Sequence, residues 1–272
     1  MNNPYSYIEA ETLEIVDETS NIKTFTFRPR GDIGFRAGQF MEVTVPGIGE
    51  APYTPSSNHN QKEKLDFTIM SAGRITKLMH GLKKGDVVGL RGPYGKGYPL
   101  DVFKGKEIFI VGGGVGLAPL RALLYALFND ANDYKKIIVR YGSRSPKDIV
   151  YKNEIDTWKK HGKHVDVEVS VDVGNDTWKG NVGLVTTLIK KEGLDIDNAI
   201  SIVCGPPIMM KFVTFKLLEI GFKDSQIYLS MEKNMSCGIG KCGHCRIGPY
   251  YACKDGPVFT YDKIKDFPNI WE

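Results

Sequence analysis

From Lys104 onward the apolar residues keep changing period. "KEIFIVGGG" reads as a buried strand, "LAPLRALLYALFND" repeats apolar residues at helical spacing, and "KKIIVRYGS" is a strand again. The alternation continues through "VYKNEIDTWKKHG" (helix), "HVDVEVSVD" (strand), "GLVTTLIKKEG" (helix), "NAISIVCG" (strand), "PPIMMKFVTFKLLEIG" (helix) and "SQIYLSME" (strand). Strands that are apolar on both faces, each followed by a helix, are buried best in a parallel sheet with helices on either side. Residues 103–230 are therefore expected to form a doubly wound, five-stranded parallel sheet.

Residues 1–102 read differently. "YIEAETLEIVDET", "NIKTFTFRP", "GQFMEVTVPG" and "KLDFTIMSA" alternate apolar and polar residues, and "GDVVGLRGPYG" closes the series. Short alternating strands separated by turn signals suggest an antiparallel barrel. One short helix, "TKLMHGLK", interrupts them, with Leu78, Met79 and Leu82 on one face. No low-complexity linker separates the two patterns, so the domains are expected to abut and to share a site in the cleft between them. Residues 231–272 form a third, short segment.

Ligands of an open parallel sheet bind at the carboxyl ends of its strands. Gly112, Gly113, Gly114 and Gly116 lie between the first strand and its helix. A turn without Cβ atoms there lets a pyrophosphate approach the backbone and the helix N-terminus. The spacing is not GxGxxG, and a plain tight turn is the alternative reading. Cys204, Gly205 and Pro206 follow the fourth strand and should face the same crevice. After the second strand stand Ser143, Arg144 and Lys147, where an acid would favour NAD and a base a 2′-phosphate. Arg144 points towards NADPH, but a solvated loop arginine is equally consistent with the position, and the choice stays open.

The chain has five cysteines, and four of them, Cys237, Cys242, Cys245 and Cys253, fall within residues 237–253. Their spacing is C-x4-C-x2-C-x7-C. Zinc sites usually present two well-separated C-x2-C hooks, whereas C-x4-C-x2-C followed by a later cysteine is the plant-type pattern for a [2Fe–2S] cluster. Gly238, Gly240 and Gly243 would let the backbone wrap tightly and aim N–H groups at the sulfurs. A lone zinc ion is the competing reading. His244 is expected beside the ligands and not among them, because four cysteines already complete a cluster.

The net charge of +4 and the 25% charged residues do not suggest a nucleic-acid binder. The longest mostly apolar uncharged run, 108–120, is broken by three consecutive glycines and is too short to cross a bilayer. No secretory leader is apparent, and a cytoplasmic location, where disulfides are rare, is expected.

In order along the chain, "APYTPSS" with "GRIT", "GGGVGLAP" and "CGPPIMM" resemble the ferredoxin–NADP reductase superfamily. The tail, "MEKNMSCGIGKCGHCRIG…YACKDGPVF", is similar to those of electron-transfer subunits of dihydroorotate dehydrogenase, anaerobic sulfite reductase and sulfhydrogenase-type hydrogenases. "RGPYGKGYPLD" and "VPGIGEAP" lean towards the last two. The resemblance implies FAD on the barrel, NAD(P)H on the sheet and a [2Fe–2S] cluster in the tail. It implies flavin contacts from Pro52, Tyr53, Thr54, Ser56, Ile69, Gly73, Ile75 and Thr76, with the Tyr53 ring against the isoalloxazine and the Thr54 hydroxyl near its N5. Tyr53, Thr54 and Cys204 are the expected catalytic residues. Two positions depart from the pattern: Ala51 replaces an arginine that grips the FAD pyrophosphate, and Val115 replaces a threonine.

A cluster takes one electron at a time and a hydride carries two, so a flavin between them is the natural converter. No further substrate site is apparent, which implies that a larger redox subunit docks near the iron–sulfur segment. A stand-alone NAD(P)H:ferredoxin-type reductase and a zinc-stabilised nucleotide-sensing module are the alternatives.

Overall fold

The computed structural model describes residues 3–272. The chain divides into two compact units, neither of them contiguous. The first contains residues up to Tyr98, Ala118–Ala126 and Met231–Val258, and the second contains Pro99–Leu117, Leu127–Ser230 and Phe259–Glu272.

The first unit is built on strands β1 (Ile8–Asp17), β2 (Ile22–Pro29), β3 (Phe40–Val45), β4 (Gly49–Tyr53), β5 (Leu65–Met70) and β6 (Val87–Tyr94), with helix α1 (Arg74–Met79) between β5 and β6. The strands form one sheet in the order β4-β3-β6-β1-β2-β5, and every registered pair is antiparallel. Alternation puts Phe25, Phe27, Met41, Leu65, Phe67 and Leu90 inside, each fully buried or nearly so. Helix α1 starts at Arg74, two residues ahead of the expected span, and stops at Met79, which is buried, while Leu78 stays exposed. Six residues cannot present a complete apolar face.

After the barrel the chain continues α2 (Leu100–Phe103), β7 (Glu107–Gly113), α3 (Leu117–Asn129), β8 (Lys136–Ser143), α4 (Lys152–Trp158), β9 (Val165–Val171), β10 (Asn181–Val182), β11 (Ala199–Cys204), α5 (Pro207–Ile220) and β12 (Ile227–Ser230), all in the second unit except the Ala118–Ala126 stretch of α3, which belongs to the first. Near the C-terminus come β13 (Arg246–Ile247), β14 (Tyr250–Tyr251), β15 (Val258–Thr260) and α6 (Tyr261–Ile264). The sheet order is β10-β9-β8-β7-β11-β12-β15. The five expected parallel strands are all present, and two short strands, β10 and β15, extend the edges. Every residue of β11 is buried, as a central strand covered on both faces must be.

Helix α5 starts on Pro207, where the missing N–H costs nothing, and ends on Gly221 at φ +113°. The helix expected over "GLVTTLIKKEG" does not form. Only one 3-10 turn appears there, Val185–Leu188. Val185, Thr186 and Thr187 are β-branched in succession, and the Thr187 hydroxyl donates to the Leu184 carbonyl, so the segment closes locally instead of propagating. The helix expected at "VYKNEIDTWKKHG" is also shorter and gives way to a 3-10 turn at Lys159–His161.

Candidate cofactor sites

Three of the sequence-derived groups meet at the carboxyl end of the parallel sheet. Gly112 lies beside Cys204 in the β7–β11 pairing, and Gly113 lies beside Gly142 in the β7–β8 pairing. Arg144 follows directly after β8 and is exposed. The glycines there do different work. A Cβ on Gly113 would meet Met209 Cε at 2.7 Å, and one on Gly116 would meet Gly205 Cα at 2.5 Å, so these two serve close packing. Gly114, at φ +53°, has nothing within 4 Å of its Cβ position. That side of the turn is open. The Gly114 carbonyl accepts a hydrogen bond from the buried Tyr141 hydroxyl at 3.2 Å, and that hydroxyl in turn accepts the Val150 amide at 3.3 Å. The turn is thus held from behind by the neighbouring strand. Cys204 is buried, with 6% of its surface exposed.

In the first unit, Pro52 and Tyr53 end β4, and Thr54 follows them; all three are half-buried. Ile75 Cδ1 lies 3.5 Å from the Cβ position of Gly49, which brings α1 against β4. Burial, followed by Glu232 and Glu42, pushes the Tyr53 phenol up to about 12. It therefore stays neutral. The Thr76 hydroxyl accepts the Ala72 and Gly73 amides at 2.9 and 2.8 Å, so those two donors are already engaged. Ser56 and Ile69 turn inward. Ser56 Oγ sits 3.1 Å from Thr68 Oγ1, and the Ile69 side chain is in the barrel core.

The tail shows the densest organisation. Cys237, Cys245 and Cys253 are buried and Cys242 is exposed. Among the described residues none of these four is in a disulfide. Backbone amides converge on the sulfurs. Cys237 Sγ accepts from Ile239, Lys241 and Cys242 at 3.5, 3.3 and 3.4 Å, and Cys253 Sγ accepts from Gly240 at 3.0 Å. The Cys253 amide donates to Cys245 Sγ at 3.5 Å. Gly238, Gly240 and Gly243 all have positive φ, which is what lets successive amides turn inward. Burial alone would raise the Cys237 thiol, but the amides of Cys242, Ile239 and Lys241 outweigh it and bring it below the usual thiol range. Cys253 goes the other way, raised by burial and then by Cys245. Among the described residues no three His, Cys, Asp or Glu side chains gather round one point as a single bound ion would require. His244 is exposed, with Nδ1 2.7 Å from Ser236 Oγ.

Such a cage of amides suits sulfurs that carry negative charge, and it extends onto the barrel through residues that sequence reading overlooked. Arg91 on β6 is 2% exposed and donates to the Cys237 carbonyl at 2.8 Å. Glu42 on β3 is fully buried, and neither of its carboxylate oxygens has a hydrogen-bond partner. Burial first and Glu50 second, with Arg91 opposing and Cys237 adding, raise Glu42 to about 7.

Comparison with known proteins accords with this geometry. The oxidoreductase FAD-binding domain matches residues 10–98, the oxidoreductase NAD-binding domain residues 110–214, and the iron–sulfur cluster binding domain of dihydroorotate dehydrogenase B residues 232–265. The chain is 38% identical to the sulfhydrogenase 2 gamma subunit of Pyrococcus furiosus, over 95% of this chain and 96% of that one. It belongs to the family of sulfhydrogenase gamma and dihydroorotate dehydrogenase B electron-transfer subunits. A second member, the probable dihydroorotate dehydrogenase B electron-transfer subunit of Methanocaldococcus jannaschii, is 34% identical over 93% of this chain and 89% of that one. The fold agrees with a solved NADH-dependent reduced ferredoxin–NADP oxidoreductase, at a TM-score of 0.74 and 24% identity over 97% of this chain and 93% of that one. As a member of this family the chain is an oxidoreductase electron-transfer subunit with FAD-binding, NAD-binding and iron–sulfur domains. Among the described residues no helix is long and apolar enough to cross a membrane.

Proposed function

We propose that the chain passes electrons between NAD(P)H and a larger redox subunit through FAD and a [2Fe–2S] cluster. Residues 1–102 serve the flavin, 103–230 the nicotinamide nucleotide and 231–272 the cluster. The observation that carries this reading is the set of five backbone amides aimed at the sulfurs of Cys237, Cys245 and Cys253 within the C-x4-C-x2-C-x7-C segment. That spacing is the plant-type run of a [2Fe–2S] centre, and N–H donors on the sulfurs suit its anionic core better than one tetrahedral ion. When bound, the flavin exchanges hydride for single electrons and the cluster carries them one at a time.

The chain's own residues bind and orient. Gly112, Gly113, Gly114 and Gly116, with Cys204, Gly205 and Pro206, form the rim for the nucleotide, and Arg144 stands where the adenosine ribose would lie. Pro52, Tyr53 and Thr54, with Gly73, Ile75 and Thr76, serve the flavin, and the neutral Tyr53 ring gives it a flat support. Ser56 and Ile69 contribute backbone only, since their side chains are committed to the interior. The N–H donors on Cys237 hold charge at that sulfur without a proton. Cys242 is the exposed ligand, so the larger subunit docks near it, in the cytoplasm, where the thiols stay reduced.

The test is anaerobic purification followed by iron, sulfide, zinc and flavin assay. About two irons and two sulfides per chain, one flavin, and flavin bleaching by NADH or NADPH are expected. One zinc per chain with no sulfide would refute the cluster, and a full complement of activity without any co-purifying subunit would refute the partner.

A further inference from the structure

Arg91 carries a full charge, is almost completely buried, and lies on a barrel strand. Burying a guanidinium is costly unless its donors are satisfied. Its fork is used in an asymmetric way. Nη2 donates to Glu50 Oε1 at 2.5 Å and Nε to Glu50 Oε2 at 3.3 Å, a two-point pairing with strand β4. Nη1 donates to the Cys237 carbonyl at 2.8 Å and to the Tyr94 hydroxyl at 3.1 Å. The guanidinium carbon also lies 5.2 Å from the centre of the Tyr94 ring. Glu50 and Tyr94 leave part of the five-donor guanidinium unsatisfied, and the Pro4 carbonyl is reached by Nη1 only at 3.5 Å. The bond to the Cys237 carbonyl reaches a residue 146 positions away.

That bond falls at a decisive place. The Cys237 carbonyl and the Gly238 N–H share one rigid peptide plane. Fixing the carbonyl therefore fixes the direction in which the chain enters Gly238, which is at φ +70°. The next residues supply the three amides aimed at Cys237 Sγ. Gly238 itself is wedged against the barrel: a Cβ there would meet Glu42 Oε1 at 3.1 Å and the Tyr94 ring at 3.3 Å.

We propose that Arg91 is a positioning residue for the iron–sulfur segment: its fork ties the Cys237 carbonyl to β4 and thereby keeps the amides of Ile239, Lys241 and Cys242 on the Cys237 sulfur. Glu50 aims the fork, and Tyr94 both accepts from it and walls the turn. The inference rests on the cluster reading above, because N–H···S bonds matter to an electron carrier by stabilising its reduced, more negative state.

The test compares wild type, Arg91→Lys, Arg91→Gln and Tyr94→Phe, each purified anaerobically with cluster and flavin bound. Three readouts are taken: iron release to a chelator, the midpoint potential of the cluster, and the g values of the dithionite-reduced paramagnetic signal. Arg91→Lys keeps the charge and loses the fork. It is expected to load iron, to release it about 10-fold faster, and to show a lower potential with shifted g values. Arg91→Gln moves further in the same direction, and Tyr94→Phe less far. A lysine variant that matches wild type in all three readouts overturns the proposal, since charge alone would then suffice. If the Arg91 variants do not fold, unchanged release and g values in Tyr94→Phe overturn it instead. Wild type lacking iron and sulfide would refute the underlying cluster reading, which is a different result from equal signals in wild type and variants.

Discussion

Replacing Gly116 by alanine puts a methyl carbon 2.5 Å from Gly205 Cα, 2.6 Å from the Cys204 carbonyl oxygen and 2.7 Å from the Cys204 carbonyl carbon. Carbon atoms normally rest about 3.5–4.0 Å apart, so the overlap is roughly 1 Å. All three neighbours are backbone at the end of β11, and no rotamer change can relieve them. The turn and the strand end must separate, at the point where Cys204 pairs with Gly112. Overpacking of a well-filled site costs about 1–3 kcal/mol, and a backbone neighbour places this substitution at the upper end. For a chain of this size 3 kcal/mol lowers Tm by roughly 6–12 °C. Gly114→Ala is the internal control. Its methyl meets nothing within 4 Å, and only the left-handed φ of +53° opposes it, at about 1–2 kcal/mol. Urea unfolding followed by circular dichroism measures both variants, and flavin bleaching by NAD(P)H measures nucleotide binding. Gly116→Ala should lose mainly stability, whereas Gly114→Ala should lose nucleotide affinity out of proportion to its stability. A Gly116→Ala protein within about 0.5 kcal/mol of wild type would refute the packing argument.

Glu42 yields a pH prediction. Its folded value of about 7 exceeds the ordinary 4.5, so between those limits the unfolded chain releases this proton while the folded one keeps it. Stability therefore falls as pH rises through that window, by about 3 kcal/mol in all, and Glu42→Gln should flatten the difference in urea midpoint between pH 5 and pH 8. Tyr141→Phe deletes a buried hydroxyl that serves the Gly114 carbonyl and the Val150 amide; a loss of about 1–3 kcal/mol is expected by chemical denaturation, with slower hydride uptake from NAD(P)H as the turn loosens. Arg121, on α3, pairs with Asp66 at 3.1 Å and donates to the Ser56 carbonyl at 3.2 Å, with both side chains mostly buried. Arg121→Ala should cost about 1–3 kcal/mol and weaken flavin retention on a desalting column; unchanged stability and retention would show that the pair is dispensable.

The β-α alternation was legible because β7 and β11 are central strands, and burial on both faces writes itself as unbroken apolar runs. The cysteine cage was legible because a fixed ligand spacing on a glycine-rich loop admits few geometries. Arg91 and Glu42 were not. Polar residues in an alternating strand read as solvent-facing, yet the β3–β6 register shifts between Phe40 and Glu42, and beyond that irregularity the alternation no longer reports which side is inside. One acceptor of Arg91, the Cys237 carbonyl, lies in the tail, and no local pattern could name it. The Val185–Leu188 turn misled for the opposite reason: its apolar spacing fits a helix, and only the run of branched side chains argues against one.

The chain passes back and forth between the two units, after Tyr98, Leu117, Ala126, Ser230 and Val258, so no single cut could free one from the other. On a ribosome the barrel strands emerge early, but the carbonyl that Arg91 needs arrives only after β7, β8, β9, β11 and β12 have been made. Until then a buried cation has no complete set of acceptors. Cluster loading is therefore tied to the last steps of chain synthesis, and a barrel expressed by itself would expose the pocket around Glu42, Arg91 and Tyr94 to solvent.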